Sequence, residues 1–289
     1  MKKTKTATKT KKKKNVPAKP KPFTAAEQWE IDWFCTKFGN DVKAVDDDGY
    51  TLLHKAVSYN KVAVIKFLIS QGADVNAINK KGDTPLGFGM VFAHIDSIKT
   101  LLSNGADVNA IAALGYPPLE YAMIGSGSPF EIIKILVSYG ANVNGGYILE
   151  NAICFRKDIE IIKFLVSKGA YIRKKDRCGR IPLHWAASSD YAVVDVVKFF
   201  VSKGANVNAK DDYGKTPLHL LADSWTEKPA HVEVAKILVS KGAKVNAKCK
   251  EGKTPLDLAK ESGNVPVVEY LESVICEQKL PHRSLPHNP

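Results

Sequence analysis

The sequence lacks the features that mark several large classes of protein. No apolar run is long enough to span a bilayer, and no apolar segment follows the N-terminal lysines as it would in a secretory signal. The five cysteines form an odd set without a C-x-x-C pair, which favours free thiols in a reducing compartment. Neither a P-loop nor a G-x-G-x-x-G motif is present. We therefore expect a soluble intracellular protein, cytoplasmic by default, without a bound cofactor.

Acidic residues are missing from residues 1–22, which hold ten of the 42 Lys and Arg residues. The formal net charge is +12, but beyond residue 22 only 42 − 10 = 32 basic residues face 30 acidic ones, a net charge of +2. The sequence thus predicts a disordered Lys-rich tail over 1–22 and a nearly neutral body. The tail could bind nucleic acid or an anionic surface, act as a nuclear address in a eukaryote, or aid solubility. Its candidate contacts are Lys2, Lys3, Lys5, Lys9, Lys11, Lys12, Lys13, Lys14, Lys19 and Lys21.

Internal repeats dominate the rest of the chain. Glycines that open the pattern Gly-(Ala or Asn)-x-(Val or Ile) recur at intervals of 29 to 38 residues, from Gly39 to Gly242. Between them lies a second landmark, most complete as "TPLH" at 216–219 and weaker as "TLLH" at 51–54, "IPLH" at 181–184 and "TPLD" at 254–257. The leucine column of this landmark comprises Leu53, Leu86, Leu119, Leu149, Leu183, Leu218 and Leu256.

These residues resemble the ankyrin repeat over roughly residues 39–275, since copies of about 33 residues with a T-P-L-H motif are typical of that family. The resemblance implies an all-α solenoid of stacked helix–turn–helix units with β-hairpin fingers. It also implies that His54, His184 and His219 are structural and tie neighbouring turns together by hydrogen bonds. Ankyrin arrays bind diverse proteins through variable surface residues, so the implied function is a non-catalytic scaffold or adaptor whose partner the fold does not name.

Both ends of such an array need caps, because no repeat buries its apolar faces alone. We predict an N-terminal half-repeat cap over 23–45, opened by a capping box of Thr24 and Glu27. Six repeats follow over about 46–247, and a C-terminal capping repeat occupies 248–276. Together these form an ankyrin repeat domain over 23–276, followed by a disordered tail over 277–289.

One finger is shorter than the others. The spacing from each repeat glycine to the next leucine is 14 residues, except that Gly140 to Leu149 is nine. The helices around it keep their register, so the row of fingers should have a gap at the fourth repeat, flanked by Tyr116, Arg177 and Arg180. Neutral loss and a partner-shaped gap both fit this pattern, and we favour neutral loss because the helices carry most of the stability of a repeat.

No constellation of residues indicates catalysis or metal binding: Cys154 lacks an orienting partner, and no cluster has metal-ligand spacing. A column of helix lysines that could track phosphates is balanced by acidic residues three positions earlier, which favours a solvated face. An insertion at 222–234 fits either loop drift or a binding epitope. The candidate protein-binding residues are the finger positions Tyr50, Tyr116, Arg177, Arg180, Tyr213 and Lys215, the helix-end positions Tyr59, Phe92, Phe155 and Asp223, and Trp225 of the insertion.

Two other functions stay open from the sequence. The Lys-rich tail could tether a nucleic-acid-associated or anionic-surface-associated protein, and a microbial source would make a host-directed effector conceivable. Monomeric behaviour and the absence of a membrane span are the remaining expectations.

Overall fold

The structure is a computed structural model that describes residues 22–113, 115–124, 130–155, 157–188, 194–224 and 229–279. Within these ranges the chain forms short helices joined by turns, and the only β-type pairing is an isolated antiparallel bridge between Val45 and Thr51. The hairpin character of the fingers stays a prediction. The helices are α1 (Ala25–Phe38), α2 (Leu52–Ser58), α3 (Val62–Ser70), α4 (Pro85–Phe92), α5 (Ile95–Ser103), α6 (Pro118–Ile124), α7 (Phe130–Ser138), α8 (Ile148–Cys154), α9 (Ile159–Ser167), α10 (Pro182–Ser188), α11 (Val194–Ser202), α12 (Pro217–Ala222), α13 (Pro229–Ser240), α14 (Pro255–Ser262) and α15 (Val265–Lys279).

The helices form two layers. The first helices of the repeats, the even-numbered α2 to α14, pack each on the next, and the second helices, which are odd-numbered, make the other layer. Helix α1 begins this second layer by packing on α3, and the ring of Phe130 in α7 meets the ring of Phe164 in α9 at 5.5 Å. The predicted all-α solenoid is confirmed.

The residues at the helix starts explain where the helices begin. Thr51, Thr84 and Thr254 each cap a first helix by accepting a hydrogen bond from the backbone N–H three residues later. Thr24 and Glu27 form the predicted capping box of α1: the Glu27 N–H donates to Thr24 Oγ1, and the Thr24 N–H donates to Glu27 Oε2. Local sequence therefore sets the start of these helices.

The core follows the repeat pattern closely. Every member of the leucine column is buried except Leu256, which is half-buried because its helix α14 is the last of the first helices. Small residues allow this close packing, and a Cβ on Gly89 of α4 would approach Val57 Cγ1 to 2.7 Å. Tight contact between successive first helices positions the fingers that precede them.

Buried histidines join successive repeats, as the resemblance implied. The backbone N–H of Thr51 donates to His54 Nδ1 at 3.2 Å, so the ring proton lies on Nε2 and donates to the Asp83 carbonyl of the next finger at 3.0 Å. His184 and His219 repeat this arrangement, with carbonyl contacts to Lys215 at 3.2 Å and Lys253 at 3.3 Å. Burial lowers the pKa of all three imidazoles, which favours the neutral form that this geometry needs.

A second set of bonds between repeats was missed by the sequence reasoning. Asn208 uses both ends of its amide: Nδ2 donates to the Gly242 carbonyl at 2.8 Å, and Oδ1 accepts from the Lys244 N–H at 2.9 Å. Asn76, Asn109 and Asn144 make the same pair of bonds to their following repeats. The sequence did contain a sign of these bonds, because the asparagine belongs to a Val-Asn dipeptide that recurs in the repeats.

Candidate functional site

The fingers fall into two groups. The N-terminal fingers are residues 46–51, 79–84 and 112–117, and the C-terminal fingers are 176–181, 211–216 and 249–254. Each finger is a tight turn closed by a backbone hydrogen bond over four residues, as from the Asp46 N–H to the Tyr50 carbonyl and from the Asp176 N–H to the Arg180 carbonyl. Each first helix starts directly after its finger, so the packing of these helices fixes the spacing of the tips.

Neighbouring finger tips are bonded to one another within each group. In the N-terminal group the Lys80 N–H donates to the Asp48 carbonyl at 3.0 Å, and the Ala113 N–H donates to Asp83 Oδ1 at 2.9 Å. The C-terminal group is joined by 2.9 Å bonds from the Asp212 N–H to the Cys178 carbonyl and from the Lys250 N–H to the Tyr213 carbonyl. Each group is therefore a hydrogen-bonded block of backbone that can hold side chains in fixed positions.

Between the two groups the row is interrupted. Residues 142–148, which we call the notch, make a short turn that runs straight into α8 at Ile148. Gly146 has a φ of +47°, a conformation that favours glycine. The finger predicted to be short is short, and the helices on either side keep their stacking.

The notch has its own buried polar chemistry, centred on Glu120. This residue occupies the histidine position of its repeat, and its Oε1 accepts hydrogen bonds from the Tyr147 N–H at 3.1 Å and from Asn151 Nδ2 at 3.0 Å. The turn passes so close that a Cβ on Gly146 would overlap the Glu120 carboxylate. A histidine donates to the next finger, whereas here the glutamate accepts from the chain that replaces a finger.

Glu150 occupies the histidine position of the following repeat. It is buried, and its Oε1 has no hydrogen-bond partner among the residues that the structure describes. Burial raises the pKa of this carboxyl from 4.5 to about 7, against the opposing field of Lys174. Lys174 itself donates through Nζ to the carbonyl oxygens of Asn144 and Gly146, which holds the notch to the next repeat.

Glu120 and Glu150 were missed by the sequence reasoning, although a signal existed. Both directly follow a member of the leucine column, Leu119 and Leu149, where three other repeats carry histidine. These two acidic residues occupy the position where a neutral histidine donates, and they lie on either side of the shortened finger. They therefore indicated that the repeats are joined differently there.

Several predicted binding residues present exposed side chains. Tyr116, on the N-terminal side of the notch, is 37% exposed, and Arg177 on the other side is also exposed. Tyr213 on the next finger is 56% exposed. At the C-terminal ends of first helices, Phe155 is 50% exposed, and Tyr59 and Phe92 are exposed as well. These side chains are accessible to solvent.

Other predicted residues are engaged within the protein. Tyr50 is half-buried and packs its ring 5.0 Å from that of Phe88. Arg180 lies over the Trp185 ring at 5.4 Å, with its Nε 3.8 Å from the buried Asp211 Oδ2. We therefore assign both side chains to packing within the array. Tyr50 contacts the next repeat, and Arg180 contacts both its own repeat and the next one.

Lys215 and Asp223 connect the fingers to the helix ends. The Lys215 Nζ donates to Asp223 Oδ2 at 2.8 Å, across the length of helix α12. This ion pair connects one finger with the C-terminal end of the first helix that follows it. Trp225 and all ten tail lysines lie outside the described residues.

Charge is distributed unevenly along the fingers. Asp47 and Asp48 are exposed at the first finger. The C-terminal fingers and the segments leading into them instead carry exposed cations that form no salt bridge within the described part of the chain: Lys175, Arg177, Lys210, Lys248 and Lys250. This half of the finger row presents a positive surface.

The helix lysines show the charge balance expected of a solvated face. Lys163 pairs with Glu160 of its own helix at 2.7 Å. Lys99 and Lys198 instead pair with the acidic residue of the next repeat, Glu131 at 3.7 Å and Glu233 at 2.9 Å. The column therefore includes pairs between repeats that the sequence reasoning did not predict.

In the described ranges, no group of three or more His, Cys, Asp and Glu side chains could hold a metal ion. None of the helices found in them combines the length and the apolar character that crossing a bilayer requires.

A known protein family matches the repeat architecture of this chain. A family model for ankyrin repeats, built from three copies, matches residues 24–112, 149–249 and 183–278. The chain belongs to the ankyrin-repeat family. The matched segments leave out 113–148, the part that contains the notch. Ankyrin repeats generally act as protein–protein interaction modules and are typically non-catalytic.

Solved ankyrin structures resemble about three quarters of the chain. The ankyrin repeat domain of human ASB11 is 27% identical, with a TM-score of 0.62, over 76% of this chain and 98% of its own. The ankyrin repeat domain of Bcl-3, a member of the IkappaB family, is 23% identical with a TM-score of 0.65, over 78% of this chain and 100% of its own. At 23% identity, the likeness to the Bcl-3 domain shows a shared fold and nothing more. No curated protein sequence gives a significant match.

Proposed function

We propose that this ankyrin-repeat protein is a non-catalytic scaffold that binds a protein partner across its finger tips and the ends of its first helices. The observation that carries the proposal is the exposure of Tyr116, Arg177 and Tyr213 on hydrogen-bonded fingers at both sides of the notch. Tyrosine and arginine are frequent energetic anchors of protein interfaces. Because the fingers are pre-organised, little conformational entropy is lost when these side chains bind.

The partner segment that lies on the C-terminal fingers should be acidic. Lys175, Arg177, Lys210, Lys248 and Lys250 create a positive field there, and complementary charge speeds association and orients the partner. The notch divides this positive block from the N-terminal fingers, where Asp47 and Asp48 face solvent. A partner that spans both blocks would have to bridge the missing finger.

The test is affinity capture followed by direct binding measurements with each captured protein. The variant Tyr116→Ala/Arg177→Ala/Tyr213→Ala should weaken binding of the partner by at least about 100-fold, because each of the three anchors is worth about 1–2 kcal/mol. Tyr139→Ala/Lys203→Ala, which removes an exposed tyrosine and an exposed cation at the ends of second helices, is the matched control and should keep full affinity. Retention of every partner by the triple variant would show that the proposed surface is wrong.

A further inference from the structure

An aromatic surface lies at the N-terminal end of the array, away from the fingers. Trp29 is 69% exposed and Trp33 is 38% exposed, one turn apart on α1. With Lys37, one further turn along the helix, they form what we call the aromatic end. Two exposed tryptophans side by side are unusual for a soluble surface and mark a site of interaction.

The position of α1 leaves this surface accessible. Helix α1 is the first described helix of the second layer and packs on α3, so no helix in the described part of the chain covers its outer side. The buried side of α1 is formed by Ile31 and Phe34. Trp29 and Trp33 lie on the side of α1 that is exposed.

Charged groups of both signs accompany the rings. Asp32 lies beside Trp29 and Trp33, and its Oδ1 accepts from Gln28 Nε2 at 2.8 Å. Lys37 Nζ lies 5.0 Å from the centroid of the Trp33 ring and 5.1 Å from that of Phe38. Lys61 Nζ lies 5.7 Å from the Trp33 ring while it donates to Glu30 Oε1 at 2.9 Å. Aromatic rings flanked by lysine are typical of side chains that sit at the boundary between lipid headgroups and water.

A large positive charge is attached to the same end. Residues 1–22 contain ten lysines and no acidic residue, and they join the body three residues before α1 begins at Ala25. A polybasic segment next to interfacial aromatic side chains supplies the two signals that stable peripheral membrane binding requires.

We propose that the aromatic end docks on anionic lipid bilayers, with Trp29 and Trp33 at the level of the headgroups and the Lys-rich segment along the negative surface. The aromatic end then lies at the membrane surface. The aromatic end adjoins one helix-end candidate, because Lys37 Nζ lies 5.5 Å from the Tyr59 ring. The inference itself needs none of the finger residues Tyr116, Arg177 and Tyr213.

Two other occupants fit the observations less well. Single-stranded nucleic acid binds by stacking bases on open ring faces, but Lys37 and Lys61 both lie against the Trp33 ring. A second copy of the chain, meeting this face symmetrically, would bring two segments of ten lysines together, which like-charge repulsion opposes.

The experiment is co-sedimentation of the full chain with vesicles of phosphatidylcholine alone or mixed with phosphatidylserine. Binding should require phosphatidylserine, weaken as salt is added, and shift the tryptophan emission to shorter wavelength. Trp29→Ala/Trp33→Ala should lower the partition coefficient by at least about tenfold, and so should Lys11→Gln/Lys12→Gln/Lys13→Gln/Lys14→Gln. Tyr139→Ala/Tyr171→Ala, which removes two exposed rings elsewhere, should leave the coefficient unchanged.

The single variant Trp29→Ala separates a loss of binding from a loss of folding, because the Trp29 side chain is largely exposed. It should keep the wild-type melting temperature and still have a lower partition coefficient. The proposal is overturned if phosphatidylserine vesicles are not bound or if the tryptophan variants bind them as well as wild type. It is likewise overturned if the tryptophans serve only binding to a single-stranded oligonucleotide or self-association measured by sedimentation velocity.

Discussion

At the scale of single residues, the position after each repeat leucine decides how neighbouring repeats are joined. A neutral histidine can accept at Nδ1 and donate at Nε2 at the same time, as His54 does between Thr51 and Asp83. A glutamate side chain offers acceptor oxygens and no ring N–H. Glu120 therefore suits the junction where the next repeat offers the N–H of Tyr147 in place of a finger carbonyl.

Replacing Glu150 tests this local chemistry. Its pKa in the folded state, about 7, lies above the value of 4.5 expected for an unfolded chain, so the folded protein holds an extra proton between these pH values. The carboxyl therefore lowers stability progressively as pH rises from about 4.5 to 7, with the full penalty above 7. Relative to wild type, Glu150→Gln should gain up to about 3 kcal/mol of unfolding free energy at pH 8 and nothing near pH 4.

Urea denaturation of wild type and Glu150→Gln over this pH range measures the difference in unfolding free energy. The contributions of the histidines are common to both proteins and cancel in this difference. Glu269→Gln, at an exposed carboxyl that forms no salt bridge in the described part of the chain, is the matched control. A difference for Glu150→Gln that does not change with pH would contradict the assignment.

At the scale of elements, the turns after the second helices hold the repeats in register. The amide of Asn208 spans two repeats by donating to Gly242 and accepting from Lys244. At one position Arg173 replaces the asparagine, and its Nη2 donates to the Gly204 carbonyl at 2.9 Å. The turns after the second helices are thus bonded across repeats independently of the finger tips. Stacking of the repeats can therefore continue where a finger is missing, at the notch.

Truncating this amide should loosen one junction. Asn208→Ala removes two hydrogen bonds and should lower the unfolding free energy by about 1–2 kcal/mol. Asn246→Ala is the matched control, because Asn246 holds the same repeat position in the last repeat, with no further repeat after it in the described residues. Thermal and urea unfolding should separate the two variants, and equal losses would argue against a bond between repeats as the cause.

At the scale of the whole molecule, stability should be distributed along the array by nearest-neighbour contact. Each first helix packs on the next, and few contacts connect distant repeats. The ends have a neighbour on one side only. We therefore expect the terminal helices α14 and α15 to open without the rest of the array.

Two leucine substitutions compare the end with the middle. Leu271 in α15 and Leu165 in α9 are both completely buried, so each change to alanine should cost about 2–5 kcal/mol locally. Leu271→Ala should increase hydrogen exchange in α14 and α15 and leave α1 to α5 protected, whereas Leu165→Ala should increase exchange on both sides of the notch. Uniformly faster exchange in Leu271→Ala would show that the array unfolds as one unit.

The sequence by itself determined the repeat register, the helix pairs and the position of the missing finger. These follow from short-range rules: threonine capping, glycine at positive φ and an apolar column repeated at fixed spacing. The same rules identified Tyr116, Arg177 and Tyr213 as finger side chains.

Only the tertiary structure decided which of these side chains face solvent and which are used in packing. Tyr50 meets Phe88 of the next repeat, and Arg180 meets Trp185, because stacking brings together residues that no local pattern relates. It also placed Glu120 beside the Gly146 turn and left Glu150 Oε1 without a hydrogen-bond partner in the described chain. Burial and hydrogen-bond satisfaction depend on which repeats become neighbours in space, so these properties of the notch arise only when the array is assembled.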